Sequence, residues 1–120
     1  MIREENGKSV LSYEISGIIR RIPLEKRGVA RTGREWVLGS VLLEVTEDGA
    51  ESSAQLFLNT WDEIMVETLN RIGVGKQVRV RYHIECREYF DSYKTNLILD
   101  SIQGLSENED FIYGINKKGE

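Results

Sequence analysis

Between Thr60 and Gly73 the apolar spacing of this chain changes, once, from every second residue to the spacing of a helix, and then changes back. Trp61, Ile64, Met65, Leu69 and Ile72 approximate one helical stripe. Thr60-Trp61-Asp62-Glu63 reads as a capping box, with Thr60 as N-cap and Glu63 three residues on, and Gly73 supplies the stop. The pattern predicts one amphipathic helix of about three turns, with Trp61 in the core. A lone helix set among strands leaves few architectures open.

The strands around it are legible from period-2 alternation. Tyr13 to Ile22 is β-prone, and the isolated Gly17 marks a bulge or sharp bend of the kind a closing sheet needs. Residues 23–34 read as a long basic loop. Glu35 to Val45 puts Val37, Val41, Leu43 and Val45 on one parity, and Trp36, Leu38, Ser40, Leu42 and Glu44 on the other. Asp48-Gly49 signals a hairpin turn, and Ala54 to Asn59 forms a third strand. In the run from Gln77 to Glu88, Val78, Val80, Tyr82, Ile84 and Cys86 are expected to face inward and Arg79, Arg81, His83, Glu85 and Arg87 outward. The stretch Tyr89 to Tyr93 reads as an irregular loop before a last strand, Lys94 to Leu105. Three strands, a helix and two strands is the order of a five-stranded OB-fold Greek-key barrel with its α-helix between strands 3 and 4. The expected organisation is a flexible lead-in over residues 1–12, the barrel over 13–106 and a polar tail over 107–120.

Composition narrows the function. The 120 residues are 40% apolar and 30% charged, which suits one soluble domain. No apolar run approaches the roughly 20 residues of a spanning helix, and the N-terminal residues MIREENGKSV lack an apolar signal core. A cytoplasmic location without a membrane partner is the expectation. Cys86 and His83 are the only residues of their types, three apart in one strand and so expected on opposite faces. No catalytic residue, metal or cofactor is expected, and the reading is of a protein that is not an enzyme. The net charge of −4 argues against a surface that binds polyanions everywhere. Locally the balance reverses: Arg20, Arg21, Lys26, Arg27, Arg31 and Arg34 stand against Glu25 alone.

With that order in place, the stretch VGKQVRVRYHIECREYFDSYKTNLILDSIQGL resembles the last two strands of bacterial single-stranded-DNA-binding proteins. The carrying elements are the turn glycine Gly75, the alternating strand Val78 to Ile84, the aromatic loop Tyr89 to Tyr93, and Asp100-Ser101-Ile102-Gln103. VARTGREWVLGSVLLEV is similar to that family's loop-then-strand segment. The chain also looks like small bacterial OB-like domains with a basic first loop, an aromatic second strand and a Trp near the helix start. Where that family carries a Gly/Pro/Gln-rich tail with an acidic aromatic tip, this sequence has the internal string SENEDF. The resemblance implies the OB fold and, beyond it, a single-stranded nucleic acid ligand, with DNA foremost.

OB domains hold single strands by stacking bases on exposed aromatics and tracking the backbone with basic residues. The candidates are Trp36 on the second strand, Phe57 beside it on the third, and Tyr89, Phe90 and Tyr93 in the loop before the last strand. Lys26, Arg27, Arg31 and Arg34 in the first loop, with Arg87 and Lys94, would contact phosphates. Arg79 and Arg81 are expected to pair with acids across strands. Stacking adds about 1–3 kcal/mol per base, so binding of micromolar order is expected. Affinity of that order gains from linked sites, and a homo-oligomer (dimer or tetramer) is a second expected partner. The rival reading makes the domain an assembly module, with Trp36, Leu38 and Leu42 as a subunit contact; oligosaccharide binding would use the aromatics without needing the basic loop. The direction of Trp36 separates the readings.

Overall fold

Alternating valines, leucines and isoleucines close the middle of the chain into a barrel. The computed structural model describes residues 2–5, 8–46, 52–105 and 112–113. In chain order the elements are β1 (Ile2–Glu5), β2 (Lys8–Arg21), β3 (Lys26–Val29), β4 (Glu35–Val45), β5 (Ala54–Thr60), α1 (Glu63–Ile72), β6 (Gln77–Tyr89), β7 (Ser92–Gly104) and β8 (Ile112–Tyr113). β2 pairs with β6, β6 with β7, β7 in parallel with β5, β5 with β4, and β4 returns to β2. That circuit, with α1 between the third and fourth barrel strands, is the OB barrel the alternation predicts.

Inward parity fills the core. Ile19, Val41, Leu43, Leu58, Val78, Val80, Leu99 and Ile102 are buried from the strands, and Met65, Leu69 and Ile72 from one face of α1. On β4 the expected division holds: Val37, Val41 and Leu43 are buried, while Trp36 on the opposite parity is exposed. The sharp approach of β2 to β4 falls at Gly17, where a Cβ would lie 2.8 Å from the carbonyl oxygen of Glu44. The register irregularity expected at Gly17 lies instead between Ile19 and Arg21.

Several boundaries differ from the sequence pattern. Within the polar lead-in, β1 pairs with the start of β2, from Ile2↔Leu11 to Glu5↔Lys8, so backbone pairing rather than apolar alternation organises it. The basic loop contains β3, which folds back on β4 from Lys26↔Leu38 to Val29↔Glu35 and makes a two-stranded arm. The segment around Tyr89 is a tight hairpin with only Phe90 and Asp91 between β6 and β7. The N-cap of α1 is Asp62, whose side chain accepts from the Ile64 N–H, while Thr60 Oγ1 accepts from the Asp62 N–H at 3.1 Å. Helix start therefore moves past Trp61, which is exposed and not part of the core. Asp48-Gly49 and most of the tail lie outside the described residues; within the tail, β8 pairs with β7 at Ile102↔Tyr113 and Gln103↔Ile112.

Cys86 and His83 also exchange environments. Cys86 keeps its inward parity but is exposed, because β6 outruns the barrel there. His83 is only 8% exposed, with Nδ1 2.9 Å from both carboxylate oxygens of Asp100 on β7 and Nε2 3.2 Å from Glu85. Ser12 of β2, also buried, lies directly opposite. Burial alone would pull the imidazole pKa down, but the hydrogen bonds to Asp100 and Glu85 outweigh it and leave the pKa raised above 6.5. Protonated His83 therefore favours the folded state. Its contribution is complete below about pH 6.5, the unfolded value, and is lost as pH rises through the folded pKa. We expect the urea midpoint to fall as pH rises above about 6.5 through the folded pKa of His83. His83→Gln should flatten that fall; an equal pH profile in the variant would remove His83 as its source.

Candidate functional site

The candidate residues form a band along the molecule rather than one cavity. The arm of β3 and β4 stands where β6 begins, since Gln77 pairs with Ile18 near the end of β2. The β6–β7 hairpin tip lies at the other end of β6, about 40 Å away along a strand of this length. Between them runs the outer face of β4 and β5, where Phe57 is exposed opposite Leu42. Phe57 is thus separated from Trp36 by roughly 20 Å of strand and does not stand beside it.

At the arm, Trp36 is 40% exposed and lies against the backbone of Gly28, its cross-strand partner. A Cβ at Gly28 would sit 2.4 Å from Trp36 Cζ2, so only glycine lets the arm close this tightly. Trp61 meets Trp36 edge-on, with ring centroids 6.1 Å apart at 66°, a geometry aromatic quadrupoles favour. Arg27 reaches over to α1: its Nη1 and Nη2 donate to the two carboxylate oxygens of Glu63, each at 2.8 Å, and Nη2 also donates to Glu25 at 3.3 Å. That fork holds the Glu63 carboxyl below its ordinary pKa and the Arg27 guanidinium above its own. Arg27, Gly28, Val29, Glu35, Trp36, Val37, Trp61 and Glu63 line a groove of about 530 Å³.

The cations of the basic stretch divide into two sets. Arg20 is tied to Glu44, which also accepts from Ser53 and is held below the usual carboxylate range by these contacts. Arg27 is tied to Glu63. Arg21, Lys26, Arg31 and Arg34 are exposed, with no ion pair among the described residues. Arg31 and Arg34 sit at the arm's turn, closed by hydrogen bonds from Ala30 N–H to Arg34 O and Gly33 N–H to Ala30 O, both 2.8 Å.

At the far end, Arg87 and Lys94 lie directly opposite each other across β6 and β7 and so share one face. Glu85 is 3.8 Å from Arg87. Tyr89, on the parity of Arg87, is exposed on that face; Phe90 at the tip is 97% exposed. Tyr93 pairs with Glu88 and faces the other way. The three aromatics therefore do not make one platform. Of the surface pairs expected on β6, Arg81 lies 3.8 Å from Glu14 of β2. The His83 ring nitrogens face Asp100 and Glu85 rather than Cys86, and among the described residues no group of three His, Cys, Asp or Glu side chains is placed to hold a metal ion. Among them, too, no helix is long and apolar enough to cross a membrane.

Sequence reasoning missed Trp61 and Glu63 as members of this site. Taking Asp62 rather than Thr60 as the cap places Trp61 before the helix, where the helical stripe no longer binds it to the core.

The closed circuit of five strands with one helix between the third and fourth defines an OB-fold domain. Solved structures with this architecture include the mitochondrial single-stranded DNA-binding protein of S. cerevisiae, similar over 83% of this chain and 98% of its own at 12% identity and a TM-score of 0.57. The single-stranded-DNA-binding-protein domain of a Synechococcus protein matches 77% of this chain and 92% of its own, at 13% identity and a TM-score of 0.51. The Plasmodium falciparum protein of this type, solved with single-stranded DNA, matches 85% and 100% at 15% identity and a TM-score of 0.50. No protein-family model and no curated protein sequence matches the chain.

Proposed function

We propose that this protein is a non-catalytic, sequence-tolerant binding module for single-stranded nucleic acid, most naturally DNA, that tracks the strand from the β6–β7 hairpin across β4 and β5 to the arm. The observation that carries this reading is the hairpin itself. Arg87, only loosely paired with Glu85 at 3.8 Å, and Lys94 put two like charges opposite each other across strands, beside exposed Tyr89 and Phe90. Like charges in that position repel, and a phosphate between them reverses the sign of the interaction. Lys26, Arg31 and Arg34 offer cations at the other end, and Trp36, Trp61 and Phe57 offer rings. The fold is shared with proteins named for binding single-stranded DNA, one of them solved with it. Bases stack on such rings whatever their identity, which makes the binding tolerant of sequence.

Labelled oligo-dT is the test. Five phosphate contacts, from Lys26, Arg31, Arg34, Arg87 and Lys94, imply a slope of log affinity against log salt of about −3.5. Intrinsic tryptophan fluorescence should be quenched as the complex forms. Absence of binding at about 50 mM salt, where such contacts are strong, would sink the reading. Light scattering on the same samples addresses the rival: a stable oligomer indifferent to oligo-dT would make the domain an assembly module.

A further inference from the structure

We infer that the groove between the arm and the start of α1 is a one-nucleotide subsite, with Trp61 as the base platform and the Arg27–Glu63 pair as a latch that a phosphate must open. The inference rests on the single-strand reading above and gives that reading a residue and a control point.

Trp61 is 58% exposed, more than Trp36, and one side of Trp36 is already occupied by the Gly28 backbone. A tryptophan left this open just ahead of a helix contributes little to the core, whereas its ring is the most accessible stacking surface at this end of the barrel. The groove beneath, about 530 Å³, is in the size range of small-ligand sites. Its charge lining is Arg27 against Glu35 and Glu63, so with the latch closed the groove itself is net negative and turns a polyanion away. Arg27 and Glu63 are each about half exposed (51% and 48%), so water reaches the pair and the carboxylate is open to exchange for another anion. A phosphate presents the same two-oxygen geometry to the guanidinium as the carboxylate does and can replace it one for one. Lys26, Arg31 and Arg34 on the same arm would hold the strand nearby and raise the local phosphate concentration against which Glu63 competes. Entry of the phosphate releases Glu63 to solvent and brings the attached base over Trp61.

The test uses the whole chain with labelled oligo-dT across a salt series of about 50 to 200 mM. Glu63→Gln should bind more tightly than the parent and steepen the salt slope by about 0.7, because Arg27 then neutralises one phosphate without freeing a carboxylate in exchange. Adding Arg27→Gln to that variant should return both quantities to the parent values or below. Because the chain has two tryptophans, Trp36→Phe leaves Trp61 as the single indole, and its fluorescence should be quenched as strand binds. Trp61→Ala should weaken binding by about 5- to 150-fold. Glu63 is an exposed first-turn residue, so its variants should remain folded, which circular dichroism checks. If the parent binds but Glu63→Gln shows equal or weaker affinity and an unchanged slope, the pair only braces the arm and the latch is overturned. If strand binds Trp36→Phe without quenching, Trp61 is not the platform. Failure of every form to bind oligo-dT overturns the single-strand reading itself, a distinct result.

Discussion

Gly17→Val is expected to be among the most destabilising single substitutions in this barrel, costing about 3 kcal/mol or more, with Gly17→Ala costing somewhat less. β2 pairs with β6 through Ile18↔Gln77 and with β4 from Ile18↔Glu44 onward, so the strand passes from one partner to the other beside Gly17. A Cβ there would lie 2.8 Å from the Glu44 carbonyl oxygen and 3.2 Å from Val45 Cγ2. The valine methyl can shift; the carbonyl belongs to a paired strand and cannot move without opening the seam that closes the barrel. Single domains are stable by only about 5–15 kcal/mol, so a loss of this size would lower the urea midpoint visibly. Urea unfolding of both variants, with Ser16→Ala as a neighbouring control, measures it. A Gly17→Ala midpoint equal to that of the parent would mean that the seam tolerates a methyl group and that closure does not depend on this contact.

The barrel was legible because its information is local. Each long strand carries its burial in alternate residues, as in β4 from Val37 to Leu43 and β6 from Val78 to Tyr82, and a helix shows a different period. β1 and β3 were not legible for the complementary reason. KRGV has no apolar alternation; it becomes a strand because the arm folds back on β4 and the Gly28 backbone accepts the Trp36 ring. That is a tertiary fact, invisible to a period count. Cys86 shows the limit of parity itself. Parity says which side a residue faces, but burial also needs something on that side, and beyond the barrel the sheet face meets none. His83 fails in the opposite sense, facing outward yet covered and held by Asp100.

For the site, the residue types were readable and their grouping was not. Arg27 and Arg31 look equivalent in sequence, but one is forked onto Glu63 and the other, at a turn, has no ion pair among the described residues. The difference depends on an acid 36 positions away. Strand parity puts Trp36 outside and the helical stripe puts Trp61 in the core, whereas with the cap two residues later the two rings meet face to edge. A band with rings and exposed cations at both ends suits an extended, flexible polyanion better than a compact ligand, which would need its contacts to converge.

Phe90 should reveal whether that band is used, because stability and binding are expected to move in opposite directions there. It occupies the first position of a two-residue hairpin loop at φ 53°, a region that glycine enters freely and that costs other residues about 1–2 kcal/mol. Its ring is 97% exposed and recovers nothing by packing. Phe90→Gly is therefore expected to stabilise the fold by about 1 kcal/mol, read as a higher urea midpoint. The same change removes a stacking ring beside Arg87 and Lys94 and should weaken oligo-dT binding by about 5- to 150-fold. Phe90→Asn separates the two causes, since asparagine tolerates the left-handed region while lacking the ring; it should bind as weakly as the glycine variant. Strained backbone residues cluster at ligand-binding sites, which is why the exposed ring at φ 53° is the residue to test. Stabilisation without loss of binding would place the strand's path away from the hairpin, and destabilisation would make the ring a structural anchor of the turn.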